Sequence, residues 1–135
     1  MNRLALLVPL LLTLVLTAGC QSIENKKIEN NLTTTLSAYH TAVRWGYPGE
    51  AYNFLDPTIE ADPADDPVLN MVRVTRYKVL RPAVEVAKNQ MVQTVAIQYI
   101  YTDRQIQKSM IDNQLWHYNE DVKKWLRANP IPKYK

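Results

Sequence analysis

Three hydrophobic rhythms follow one another along the 135-residue chain. Residues 4–18 (LALLVPLLLTLVLTA) are almost continuously apolar. Further on, Ile28, Leu32, Leu36, Tyr39 and Val43 recur at steps of three and four, which places them on one face of a helix over residues 22–45. Ser22 is a suitable cap for that helix, and Glu24 lies where a negative charge favours the N-terminal dipole. Asn30, Asn31 and Thr33 to Thr35 are poor helix formers, so a start near Asn31 is the alternative. Ile23 and Ile28 extend the apolar pattern and favour the earlier start. Gly46 is a natural stop.

Pro48 is placed to open a second, short helix with Ala51, Tyr52 and Leu55 turned inward. Asp56-Pro57 ends it, because a residue before proline avoids helical angles. Residues 60–67 (EADPADDP) read as a loop, with another helical turn around Pro67–Met71. From Val72 the period drops to two. Residues 72–80 are rich in β-branched and aromatic side chains, Pro82 interrupts them, and residues 83–88 alternate. Asn89-Gln90 forms a turn. Residues 91–102 then put Val95, Ile97, Tyr99 and Tyr101 on one face. Residues 105–118 and 122–127 read as two further strands, separated by turns at Thr102-Asp103 and Asn119–Asp121.

Strands joined by short turns are antiparallel neighbours. A long helix ahead of a four-strand meander must bury its apolar face on the sheet, so the fold class is α+β. The twist of such a sheet curls it around the helix and leaves room for a pocket at the open end. The expected core comprises Leu32, Leu36, Tyr39, Val43, Val95, Ile97, Leu115 and Trp125.

The N-terminal run carries different information. Arg3 is the only charge before Glu24, and the apolar stretch is shorter than a bilayer-spanning helix and contains Pro9. A positive start, a short apolar core and small residues at its end mark a secretory signal. Thr17-Ala18-Gly19-Cys20 resembles the lipobox of bacterial lipoproteins, with Thr17 where that family usually has leucine. The resemblance implies cleavage before Cys20 and anchoring to an envelope membrane by lipid on the Cys20 sulfur. With Gln21 rather than aspartate after the cysteine, it implies the outer membrane, facing the periplasm, in a Gram-negative source. Cys20 is the only cysteine, so the chain forms no internal disulfide.

The mature 116 residues are enough for one domain with one core. They carry fifteen basic and thirteen acidic side chains, a net charge of +2 that does not suggest a nucleic-acid binder. Residues 48–67 hold six acids and no base, whereas residues 68–135 hold twelve bases and five acids. Most of these charges read as solvated loops and strand faces, with an acidic docking rim as the alternative.

The layout also resembles the nuclear transport factor 2-like (NTF2-like) superfamily, a bent sheet wrapped as a cone on a long helix. His40–Leu55 (HTAVRWGYPGEAYNFL) is similar to that family's helix end, Trp/Gly turn and second helix. Asn113–Leu126 (NQLWHYNEDVKKWL) is similar to its closing hairpin. Together the lipobox and NTF2-like resemblances imply a signal peptide over residues 1–19, a lipidated cysteine and tether over 20–22, and one NTF2-like domain over 23–135. That superfamily holds isomerases and cyclases, transport factors and secretion subunits, so fold alone decides no function.

Candidate chemistry is sparse. An isomerase- or dehydratase-like enzyme of this fold needs a carboxylate base in the cone and a hydroxyl to hold an oxyanion. Asp112, with Tyr99 and Tyr101 on the preceding strand, are the residues of the right type; the competing reading puts Asp112 on the solvated face. His40 and His117 lack further ligands at zinc spacing, and no phosphate-binding or nucleophile-elbow motif occurs, so no cofactor or metal is expected. Arg73, Arg76, Lys78 and Arg81 surround Tyr77 and read first as a solvated strand face, then as a contact for anionic headgroups. The expected role is a non-catalytic envelope lipoprotein that binds a protein partner or a small apolar ligand, ahead of the lipid-anchored enzyme.

Overall fold

A computed structural model describes the backbone from Asn2 and the side chains from Gly19 to Lys135. The side chains of the expected signal segment therefore lie outside the described residues. The chain divides into two compact units, Met1–Thr33 and Thr34–Lys135. The first unit is helical, within a helix α1 that spans Asn2–Trp45, so the poor helix formers around Asn31 do not interrupt it. Thr33 donates its hydroxyl to the Glu29 carbonyl one turn back, at 3.4 Å, the acceptor that its own backbone N–H uses in a helix, and the helix runs on through it. Side chains from Gly19 to Glu24 are exposed, Ile28 is half-buried and Leu32 is buried. Among the described residues no helix is long and apolar enough to cross a membrane.

The second unit packs the end of α1 on a four-stranded antiparallel sheet in the order β1-β2-β3-β4, an α+β arrangement. The strands are β1 (Val72–Ala87), β2 (Gln90–Tyr101), β3 (Gln107–Asn119) and β4 (Lys124–Arg127). Val95, Ile97, Tyr99 and Tyr101 alternate inward along β2 as expected and form the core with Val74. Tyr39 is the helix residue driven deepest, 1% exposed, with its ring edge-on to Phe54 and Trp116.

Several local expectations need correction. The second helix is a 3-10 helix over Glu50–Phe54, begun by Gly49 in the left-handed region (φ 90°) rather than by Pro48. Five residues make too short a turn to bury a face, and Ala51, Tyr52 and Leu55 are only half-buried. Two further 3-10 turns, Pro63–Asp65 and Leu69–Met71, follow it. Pro82 does not break β1. The strand lies at the sheet edge, where a missing N–H need not cost a ladder bond, and register shifts on either side of Arg81 absorb the distortion. Leu115 is half-buried because the inward face of β3 belongs to Asp112, Gln114 and Trp116. Leu36 and Val43 are also half-buried, whereas Trp125 is buried as expected.

Candidate functional site

Gly46 ends α1 and begins the wall of a cavity. Its N–H reaches the Ala42 carbonyl at 3.0 Å, and a Cβ built on it would lie 2.4 Å from that same oxygen. Only glycine lets the chain turn so tightly against the helix. Residues of the segment Tyr47–Tyr52, the start of β1, and Ile131, Pro132 and Tyr134 of the C-terminal stretch line the same space. Between them lies a cavity of about 300 Å³. Ala42, Val43, Leu69, Val74, Ile97, Met110 and Ile131 give it apolar walls, and Tyr39, Arg44, Tyr47, Tyr52, Arg73, Thr102, Asp112 and Tyr134 are the polar residues along it.

Asp112 reaches this cavity because it pairs with Val95 across β2 and β3, on the inward face. It does not stand there as a free carboxylate. Arg127 Nη2 donates to Asp112 Oδ1 at 2.6 Å and Nη1 donates to Oδ2 at 2.8 Å. Both residues are buried, at 2% and 0% exposed. Gln114 adds a third bond to Oδ2 at 2.9 Å. The guanidinium is saturated by Tyr39 Oη at 2.6 Å and by the carbonyls of Asn129 and Pro130, both at 3.1 Å. Burial opposes the Arg127 charge, but the bonds it donates to Asp112 and Tyr39, with the charges there, outweigh it and hold the guanidinium pKa above its ordinary value.

Gln114 carries the network outward. Its amide donates to the Tyr77 hydroxyl at 2.9 Å, and its carbonyl accepts from Trp116 Nε1 at 3.2 Å and Gln93 at 3.3 Å. Among the described residues no buried side-chain polar atom lacks a partner. Burial pushes the Tyr77 phenol up to about 12 and raises the Tyr39 and Tyr134 phenols as well. All three are neutral hydrogen-bonding groups near neutral pH.

The tyrosines expected beside Asp112 lie elsewhere. Tyr99 pairs with Lys108, four residues along β2 from Val95, a separation of about 13 Å in an extended strand. Its hydroxyl accepts from Lys135 N at 3.2 Å and donates to Lys135 O at 2.8 Å. Tyr101 lies under the cations of Arg104 and Lys108. The structure therefore joins Asp112 to Tyr39, Tyr77 and Arg127, and to neither Tyr99 nor Tyr101.

The histidines are also separate from the cavity floor. His40 stacks on Tyr77 with 4.4 Å between ring centroids. His117 Nε2 meets Asp56 Oδ2 at 2.5 Å on the outward face of β3. Two bonds from Thr58 and then the His117 contact hold the Asp56 carboxyl below its usual range. Among the described residues no group of three His, Cys, Asp or Glu side chains could hold a metal. Cys20 is exposed on α1. Comparison of the chain with family models, curated proteins and solved structures found no match to any of them.

Proposed function

We propose that this chain is a lipid-anchored, non-catalytic envelope protein whose NTF2-like domain holds a small apolar ligand in the cavity beside Asp112. The observation that carries the reading is that cavity, about 300 Å³, with mainly apolar walls and a smaller number of polar lining residues. That volume is at the lower end of ligand sites, which suits a small molecule. A catalytic base would need a carboxylate free to take a proton, and both Asp112 oxygens already accept from Arg127. Membership of the NTF2-like superfamily and closure of the sheet into its cone are part of the proposal. Their support is the order of helix, short helical turn and four-strand meander. The lipobox-like Thr17–Cys20 supports the Cys20 anchor, and in a Gram-negative source Gln21 supports the outer membrane, facing the periplasm.

A protein partner is the second reading. Trp45 and Tyr47 are 72% and 68% exposed beside the cavity's Gly46, and large exposed aromatics are common at protein contacts.

One measurement addresses anchor and ligand together: native mass spectrometry of the full chain isolated from its own membranes in mild detergent. The expected spectrum shows a chain beginning at a lipid-modified Cys20, with a noncovalent adduct. Ala42→Phe should fill the cavity and abolish the adduct without altering the circular dichroism spectrum. Intact Met1 or unmodified Cys20 rejects the anchor. A wild-type chain free of adduct, or an adduct that survives Ala42→Phe, rejects the ligand site.

A further inference from the structure

Arg73, Arg76, Lys78 and Arg81 are spaced so that strict alternation would put Arg76 and Lys78 on one face of a strand and Arg73 and Arg81 on the other. The register of β1 against β2 removes that conflict. Arg73 pairs with Ile100, Arg76 with Gln98, Lys78 with Ala96 and Arg81 with Thr94. These β2 positions all alternate with the buried Val95, Ile97 and Tyr99, so the register places all four cations on the outward face, with Arg73, at the start of the edge strand, also bordering the cavity. The realignment comes from two shifts, at Thr75 and at Leu80, each of which leaves one extra residue in β1.

The β2 and β3 positions directly beside this row are uncharged. Gln98, Ala96 and Thr94 on β2 face Ser109, Ile111 and Asn113 on β3, and no acid occupies an outward position between them. All four cations are exposed, and none takes part in an ion pair found among the described residues. The same face presents Ile111 at 54% exposure and Val84, paired with Val92, at 55%. Cations on an edge strand also discourage pairing with another chain. That protection does not require them to share a face, and here two bulges bring them onto one.

We infer that the outward face of β1 to β3 is a contact surface for an anionic phospholipid bilayer. The cations would meet headgroup phosphates over about 20 Å, the length of the six strand steps from Ile100 to Thr94. Ile111 and Val84 meet the apolar boundary beneath the headgroups, a feature that favours a bilayer over an acidic polypeptide. The envelope location proposed above supplies only the membrane; the contact itself is a property of the sheet.

The test uses the full chain in nanodiscs of phosphatidylcholine alone or of phosphatidylcholine mixed with phosphatidylglycerol. Lys78 acetylation by an activated acetate ester is followed site by site, with Lys133 as the internal reference. Lys78 should be modified more slowly in the anionic discs only, and high salt should restore the rate. Arg76→Gln with Arg81→Gln should weaken the contact about thirtyfold and erase the difference. Both side chains are exposed, and an unchanged thermal melt of the double variant confirms its fold. Equal Lys78 rates in the two lipids overturn the inference. So does protection that persists in high salt, or protection given by polyglutamate or single-stranded DNA in place of the anionic bilayer. Intact mass of the same preparation reads the state of Cys20, so a failed anchor and a failed contact face give separate results.

Discussion

Arg127 on β4 reaches Asp112, four positions along β3 from its own partner Trp116, and joins it by parallel bonds of 2.6 and 2.8 Å with almost no solvent on either. The β3–β4 register makes this possible. Trp116 pairs with Arg127, which turns the arginine inward toward the face that already carries Asp112. Removing one partner of such a pair leaves an uncompensated buried charge and costs about 3–5 kcal/mol. Asp112→Ala should therefore lower stability to urea by about that amount. Asp112→Leu combined with Arg127→Met should recover most of the loss, because a buried pair replaced by apolar groups is often neutral or better. A single Asp112→Ala that leaves the urea midpoint unchanged would show that the pair does not hold the domain together.

Alkali should attack the same network. The Tyr77 phenol is raised to about 12 by burial, and Tyr39 and Tyr134 are raised for the same reason. In the unfolded chain tyrosine ionises near pH 10. Below that pH both states are neutral and stability is complete. Above it the unfolded chain loses its protons first, so stability falls as pH rises toward 12. The Tyr77 shift of two units corresponds to about 3 kcal/mol of lost stability. Tyrosinate absorbance and circular dichroism, followed in parallel, should change together for these three residues. Tyr77→Phe should move the alkaline unfolding midpoint upward. An early tyrosinate signal that Tyr77→Phe removes, with the fold still intact, contradicts the assignment.

The elements were more legible than the site. The three- and four-residue steps over residues 28–43 and the alternation of Val95 to Tyr101 identify the helix and the central strand, because the larger apolar residues of each stretch recur with the period of that element. In β3 the stretch Gln114-Leu115-Trp116-His117 offers an apolar residue to either face. Leu115 looks like core, yet the buried polar network selects Gln114 and Trp116 instead. Arg127 gave no signal of its own. It reads as one more base near the end of a basic segment, and its partner fifteen residues earlier is fixed by strand register, which spacing alone does not determine. The two bulges that align the β1 cations were hidden for the same reason. An extra residue in a strand leaves no distinctive mark when the bulged residues, Thr75 and Leu80, are ordinary strand formers.

Gly46 offers a local test of how the cavity wall is built. A methyl group there would press on the Ala42 carbonyl at 2.4 Å and on the Glu50 carboxylate at 2.1 Å. The Glu50 side chain can yield by giving up the bond it accepts from Tyr47 N at 3.2 Å, but the helix backbone cannot. Gly46→Ala should therefore cost about 1–3 kcal/mol, the usual penalty for forced overpacking. Thermal unfolding reads the loss. An unchanged melting temperature would mean that the turn after α1 shifts without resistance.

The helix before Thr34 makes a prediction that separates intrinsic helix formation from packing. Residues 22–31 are helical although most of their side chains are exposed, with Ile23 at 60%. Exposed helix gains little from burial, and short helices are marginal in water without it. Its amides should open more easily than those of Tyr39–Val43, where Tyr39 and Ala42 are buried. Hydrogen exchange on the full chain should therefore show intermediate protection over residues 25–31 and strong protection over 39–43. The outcome bears on the tether, since a helix advances about 1.5 Å per residue and an extended chain about 3.3–3.6 Å. Protection that continues toward Cys20 means a short, stiff connection from the proposed lipid anchor. Exchange at unfolded-chain rates over 25–31 would place the working start of the helix near Asn31, where the weak helix formers begin, and would replace that connection with a long flexible one.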